Sequence, residues 1–152
     1  MLLVVFQMGG ERYALGSRHV VEIVPLVRFR ELPRAPEYVC GLFEYRGLVT
    51  PVVDLSSLAG KGASQRLLST RIILVHYLDS RDCMRVLGLL AERVTDTIEV
   101  EESKLKPPGI RIEDAPYLRK VLTDSAGMIQ CIELEELLPT PVRDFLFPAD
   151  EG

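Results

Sequence analysis

The chain has 152 residues, 47% of them hydrophobic and 26% charged, with 18 Lys and Arg against 22 Asp and Glu for a formal charge of −4. Such a composition belongs to one globular domain and excludes disordered and collagen-like chains. The acidic balance also excludes a general nucleic-acid binder, which needs a basic footprint to displace counterions from phosphates.

Residues 2–8 are apolar and β-branched and end at Gly9-Gly10, which reads as a first strand and its turn. Residues 11–15 alternate, with Tyr13 and Leu15 on one face. The stretch 17–24 is open between a short helix capped by Ser17 and a strand built on Val20, Val21, Ile23 and Val24, and Pro25 ends either one. Residues 27–32 read as a strand with Val27 and Phe29 on one face. Residues 32–38 form a loop, because Pro33 and Pro36 withhold amide donors and restrict their predecessors.

Two strands, 42–44 and 48–55, flank a tight reversal at Tyr45-Arg46-Gly47, and Pro51 demotes the second to an edge strand or a bulge. Residues 58–68 are small and polar, a flexible connection between halves. The second half repeats the rhythm: a strand at 71–78, a turn at 79–82, and a long apolar strand at 83–94 in which Gly88 marks a bulge or a close approach. A short strand at 98–100 precedes the break at 106–109. Strands at 117–122 and 128–134 flank the hairpin loop Asp124-Ser125-Ala126-Gly127. A helical turn at 133–138 and a short helix or extended tail at 142–147 complete the chain. About ten short strands with turn signals every 8–12 residues or so predict an all-β domain of barrels or a sandwich, organised as two small units.

No catalytic constellation stands out. His19 and His76 lie far apart and beside no nucleophile, so both read as structural or solvated. Cys40, Cys83 and Cys131 are odd in number and spaced by about 40 residues, which fits neither a disulfide framework nor a metal knuckle. Three free thiols suit a reducing cytoplasm. Cys40 reads as partly buried and inert before it reads as reactive. Neighbours in Glu101-Glu102 and Glu135-Glu136 point to opposite faces of a strand, residues 60–62 lack a phosphate loop's spacing, and Glu31 and Glu37 dilute the cluster Arg28, Arg30 and Arg34. The expectation is a non-enzyme without cofactor or metal. The longest apolar runs fall far short of the roughly 18 residues of a membrane span, and residues 1–6 lack a signal peptide's basic start and cleavage site.

One segment is specific. Leu32-Pro33-x-x-Pro36-x-Tyr38-Val39-x-Gly41-x-x-x-x-Arg46-Gly47-x-x-x-Pro51-Val52-x-Asp54-Leu55 closely resembles the signature of the CheW-like chemotaxis coupling proteins. The resemblance extends through Phe6, Gly9, Tyr13-Ala14-Leu15 and Val20-x-Glu22-Ile23 upstream, and through Gly88-Leu89-Leu90, Val94 and Leu134-x-x-Leu137-Leu138 downstream. It implies two small five-stranded β-barrels side by side with short helical turns, approximately 14–68 for the first and 1–13 with 69–140 for the second, followed by a tail at 141–152. It implies no active site. Members bridge the cytoplasmic tip of a chemoreceptor to the regulatory domain of a CheA-type histidine kinase, itself CheW-like. A monomer with weak self-association is expected, with no nucleic acid bound and no direct membrane insertion.

Three positions depart from the family pattern. Glu44 stands where Asn is usual, Ala91-Glu92 replaces a Val-Asp pair, and Asp124-Ser125-Ala126-Gly127 loosens an Asp-Gly. Glu22 and Arg46 match the charged positions most associated with partner contacts in the family, and the expectation is that they pair, with Glu44 a competing carboxylate. Val20, Ile23, Leu42 and Leu48 are candidates for an exposed apolar patch, the alternative being that they fill the barrel cores. The leading function is a coupling scaffold. The alternative is a small β-barrel ligand-binding or interaction module in a surface-sensing or pilus-motility pathway, with a pocket in the seam between barrels; the convergent polar groups it needs are not visible in the sequence.

Overall fold

The computed structural model describes residues 1–109 and 115–149. Its strands are β1 (Leu2–Met8), β2 (Glu11–Gly16), β3 (Val20–Pro25), β4 (Val39–Tyr45), β5 (Leu48–Asp54), β6 (Arg71–Leu78), β7 (Met84–Glu99), β8 (Leu118–Asp124) and β9 (Gly127–Ile132). Two short helices, α1 (Leu55–Leu58) and α2 (Thr140–Leu146), and 3-10 turns at Ser17–His19, Glu102–Lys104 and Leu134–Glu136 complete the described chain.

β7 is the spine. Its first half pairs antiparallel with β6 and parallel with β5, and its second half pairs antiparallel with β1. The strands therefore fall into two groups that share β7: β3-β6-β7-β5-β4 and β7-β1-β2-β9-β8. Between Val5 and Gln7 of β1 the register against β7 shifts, and Arg93 there takes a left-handed backbone with φ 49°.

The ladders of the two groups are not closed rings. A single bridge, Arg30 to Leu42 with both N···O distances 2.8 Å, spans the first opening. Lys106 to Val121, at 2.9 and 2.8 Å, spans the second. Proline explains why more bonds do not form: Pro25, Pro33 and Pro36 flank the first bridging segment and Pro107 and Pro108 follow the second, each without an amide donor. The strand expected at 27–32 is accordingly reduced to the one bridge at Arg30.

Side-chain alternation explains the long apolar runs. Leu3 and Val5 of β1 point into the second group's interior with Ala14, Leu122, Ile129 and Cys131. Val4, Phe6 and Met8 point the other way, into a core shared between the groups. β6 repeats this with Ile72 and Leu74 inside the first group, beside Val52 and Leu90, and Ile73, Val75 and Tyr77 in the shared core. Strands buried on both faces read as continuous hydrophobic runs, and each buried Leu, Ile or Val contributes roughly 1.5–3 kcal/mol. Leu134, Leu137, Leu138, Leu146 and Phe147 seal the shared core from the C-terminal side.

Several local expectations are corrected. β6, expected with the second barrel, is hydrogen-bonded to β3 and to the first half of β7. β5 is not an edge strand: Pro51 lies opposite Leu42, and the parallel ladder with β7 begins one residue later, at Val52, so the missing donor is not needed. The short strand at 98–100 is largely the end of β7. The connection at 58–68 is tied down, because buried Asp54 caps α1 through the amides of Ser56 and Ser57 and takes the Ser64 amide and hydroxyl at 2.9 and 2.6 Å. Of the two readings of 142–147 the short helix is the one formed, and α2 with the residue after it places buried Leu146 and Phe147 against the shared core.

Two signature glycines have steric causes. Gly41 has φ 135°, and a Cβ there would lie 2.3 Å from the Arg30 carbonyl oxygen. At Gly88 a Cβ would meet Val52 Cγ2 at 2.8 Å and Ile72 Cγ2 at 3.0 Å, where β5 and β6 flank β7.

Candidate partner-binding face

At the mouth of the first group, β3 and the β4–β5 turn bring three side chains together. Glu22 sits in β3 opposite Leu74. Tyr45, the last residue of β4, donates its hydroxyl to Glu22 Oε2 in a short hydrogen bond. The Arg46 guanidinium lies 3.4 Å from the same oxygen and 3.5 Å from Oε1. It also stands over the Tyr45 ring, 5.4 Å from its centroid. The phenol's pKa is raised, chiefly because it donates to the carboxylate, so Tyr45 stays a donor.

Arg46 occupies a left-handed turn position, φ 48°, followed by Gly47 at φ 79°, both positive as a two-residue hairpin turn of this twist requires. The turn pushes the guanidinium outward, and 75% of the Arg46 side chain is accessible. The expected Glu22–Arg46 pair therefore exists. Glu44 does not compete for it: it stands on β4 opposite Val49, exposed, with no hydrogen bond or ion pair among the described residues. Adjacent residues face opposite ways, so Glu44 is turned away while Tyr45 faces the interior with Phe43 and Phe29. Tyr45 is the residue sequence reasoning missed. Its alternation with Phe43 was the available signal.

The four expected apolar residues do not share one environment. Val20 is half-buried against the shared core, and Ile23 is 38% exposed on β3. Leu42 and Leu48 instead line a groove of about 480 Å³ with Val49, Met84, Phe145 and Pro148. Val49 and Met84, both more exposed than Leu48, were not singled out from sequence.

The nucleophile candidates are quiet. Burial pushes the Cys40 thiol up to about 12 and the Cys131 thiol up to about 11, so both stay protonated. Among the described residues no group of three His, Cys, Asp or Glu side chains converges as a metal site. No described helix is long and apolar enough to cross a membrane.

Comparison with known proteins agrees with this architecture. The sequence profile described as CheW-like domain matches residues 2–141. The chemotaxis protein CheW of Rhizobium meliloti is 31% identical over 144 residues, covering 93% of this chain and 90% of that protein. The chemotaxis protein CheW of Bacillus subtilis is 25% identical over 138 residues, covering 90% and 85%. Among solved structures, the scaffolding protein TtCheW from Thermoanaerobacter tengcongensis superposes with a TM-score of 0.78 at 28% identity, covering 99% of this chain and 90% of that one. With a profile match along nearly its whole length, relatives of matching extent and the same arrangement of strands, the chain belongs to the CheW-like family.

Proposed function

We propose that this chain is a non-enzymatic coupling scaffold of a chemotaxis-type array, joining the cytoplasmic tip of a chemoreceptor to the regulatory domain of a CheA-type histidine kinase. Family membership supports the scaffold role. The cluster Glu22–Tyr45–Arg46 is the observation that carries the assignment of the docking face. A guanidinium held by a carboxylate and an aromatic ring, yet three-quarters accessible, is pre-oriented to offer its remaining donors to a partner. Ile23, exposed on β3, and the groove lined by Leu42 of β4 and Leu48 of β5 supply apolar area on the strands that carry the pair. Glu44, unpaired and exposed, adds a negative charge where the family usually has a neutral Asn, and sets partner choice by repulsion as much as by attraction. The protein works in the cytoplasm, as a monomer with weak self-association.

The test is reconstitution of receptor-dependent kinase activation with Arg46→Ala and Glu22→Ala variants. Loss of activation in the first, and partial loss in the second, with folding intact, is the expected result. Undiminished activation by Arg46→Ala overturns the assignment of this face.

A further inference from the structure

In the loop that leads into β6 a leucine stands out of the surface. Leu68 is 94% exposed, with Leu67 beside it at 41%. A single exposed apolar side chain is ordinary, but the loop that carries this one is fastened on both sides of it. The buried Thr70 hydroxyl accepts from the Leu67 amide at 3.2 Å and donates to the Gln65 carbonyl, and the Thr70 amide donates to the Leu67 carbonyl at 3.1 Å. Glu92 takes the Gln65 amide at 3.0 Å, the Arg71 guanidinium donates to the Leu68 carbonyl, and the Val94 amide donates to the Ser69 carbonyl at 3.1 Å. A side chain presented on a loop already ordered gives up little further entropy when it is covered.

The groove at Leu42 and Leu48 is the concave counterpart. Leu42 stands opposite Pro51 and Glu44 opposite Val49, and residues paired across an antiparallel ladder share a face, so all four lie on the outer face of the β4–β5 hairpin. Met84 and Phe145, both exposed, help to enclose the groove's 480 Å³ or so. The pairing of β6 with β7 runs from Arg71 opposite Ala91 to Leu78 opposite Met84. Leu68 and the groove are therefore separated by the length of that hairpin, roughly 23 Å, and no chain can seat its own leucine in its own groove. Their charges are opposite as well. Arg66, Arg71 and Arg93 lie in or beside the loop of Leu68, where Glu92 is engaged by the Gln65 amide. At the groove Glu44 stands beside Val49 and Asp144 precedes Phe145, while the arginines of that end, Arg46, Arg81 and Arg85, each face a carboxylate of their own chain, Glu22 or Asp79.

We propose that the groove receives Leu68 of a second copy of this chain, in a head-to-tail contact that sets Arg66 of one copy against Glu44 of the next. The proposal rests on the weak self-association included in the proposed function and names the two surfaces that make it. Leu68 supplies the apolar anchor, and the arginine–carboxylate contacts at the rim set the register. Glu44, where the family usually has Asn, supplies the carboxylate that the arginines beside Leu68 call for. The contact joins unlike surfaces, so the first copy of a pair keeps one surface open and the second keeps the other.

Sedimentation equilibrium of the full chain tests this, with wild type expected to associate at a Kd of about 0.1–1 mM. Leu68→Asp and Met84→Lys are each expected to weaken association at least about tenfold, with the melting temperature unchanged because both side chains are exposed. Mixed in equal amounts, the two variants are expected to associate again and to stop at a heterodimer, since Leu68→Asp keeps its groove and Met84→Lys keeps its leucine. Glu44→Arg is expected to weaken wild-type association about two- to fivefold, and Arg66→Glu in the same chain to restore it. Association that persists in Leu68→Asp, or a mixture no more associated than either variant alone, overturns this contact and leaves the coupling role, tested through Arg46, untouched. A wild-type chain that stays monomeric at about 1 mM overturns the contact together with the weak self-association on which it rests.

Discussion

Of the arginine–carboxylate pairs on the two strand groups, Arg46–Glu22 on the first and Arg12–Asp124 on the second are built differently. In the second group Arg12 of β2 grips Asp124 at the end of β8 with both terminal nitrogens, at 2.5 and 3.0 Å. It also reaches the Gly127 carbonyl at 3.0 Å, while the Ala126 amide donates to Asp124 at 2.8 Å. The Arg12 side chain is 23% accessible. In the first group Arg46 touches Glu22 only at 3.4 to 3.5 Å, shares it with Tyr45, and is 75% accessible. Bidentate geometry with every acceptor used fastens the β8–β9 turn onto β2; the looser pair leaves most of its guanidinium free. An arginine and a carboxylate make a fastener in one place and, in the proposed function, a display in the other, and geometry makes the difference.

The largest effect is expected where the first group has least slack. Gly41→Ala puts a methyl 2.3 Å from the Arg30 carbonyl oxygen at a backbone angle an L-residue disfavours. Since the neighbour is backbone and has nowhere to go, the loss is expected to be about 3 kcal/mol or more. Urea denaturation measures it, and a midpoint equal to wild type would mean that the Arg30–Leu42 bridge is dispensable. The β4–β5 hairpin with Tyr45 and Arg46 should loosen with it, whereas the Arg12–Asp124 turn should not.

Acid separates the pairs next. Arg12, with the Ala126 amide, holds the Asp124 carboxyl down at about 2, below its unfolded value of about 3.9. The folded pKa being the lower, this stabilisation is complete above the unfolded value and is lost as pH falls toward the folded one. Denaturation midpoints should therefore stay level down to about pH 4 and drop between about pH 4 and 2. Asp79, in the β6–β7 turn, is held lower still, first by the Cys83 amide and then by Arg85 and the Arg81 amide, and adds to the same fall. Asp124→Asn should flatten part of the drop. A profile unchanged by that substitution would show that the fastener contributes nothing.

Arg12→Ala and Arg46→Ala then make a direct contrast. The first is expected to lower the melting temperature by a few degrees and leave coupling intact. The second, breaking an exposed pair worth about 0–1 kcal/mol, is expected to leave stability almost unchanged and abolish receptor-dependent kinase activation. The reverse pattern would exchange the roles assigned to the two pairs.

What could be seen in the sequence depended on whether the cause was local. The β4–β5 reversal at Arg46-Gly47 and the hairpin before Gly127 were legible, because left-handed turn positions favour particular residues. The apolar runs of β1, β6 and β7 were legible as strands. That one face of each packs inside a group and the other into a shared core was not, because a run buried on both faces has no period to read. β6 was accordingly grouped with the wrong neighbours. The Glu22–Arg46 pair was reached through the family signature, since nothing in a separation of 24 residues announces contact. The groove at Leu42 and Leu48 was missed at Met84 and Phe145, contributed by the start of β7 and by α2, because no local pattern reports which distant elements meet.

The finest distinction concerns Tyr45, which belongs to the interior and to the display at once. Its ring packs with Phe43, centroids 6.4 Å apart, in the first group's interior, and its hydroxyl and outer face hold Glu22 and Arg46. Tyr45→Phe keeps the interior packing and a ring under the guanidinium, and removes only the hydrogen bond to Glu22. If that bond orients the carboxylate, and the carboxylate in turn aims Arg46, the variant should fold with wild-type stability and bind partners a few-fold more weakly. A double-mutant cycle with Glu22→Ala separates this from an independent contribution of the hydroxyl. When Tyr45 acts through Glu22, the phenol's loss should cost nothing further once the carboxylate is gone. Additive losses in partner affinity would mean that the hydroxyl meets the partner itself, and that the display is a row of separate contacts instead of one arginine aimed by two neighbours.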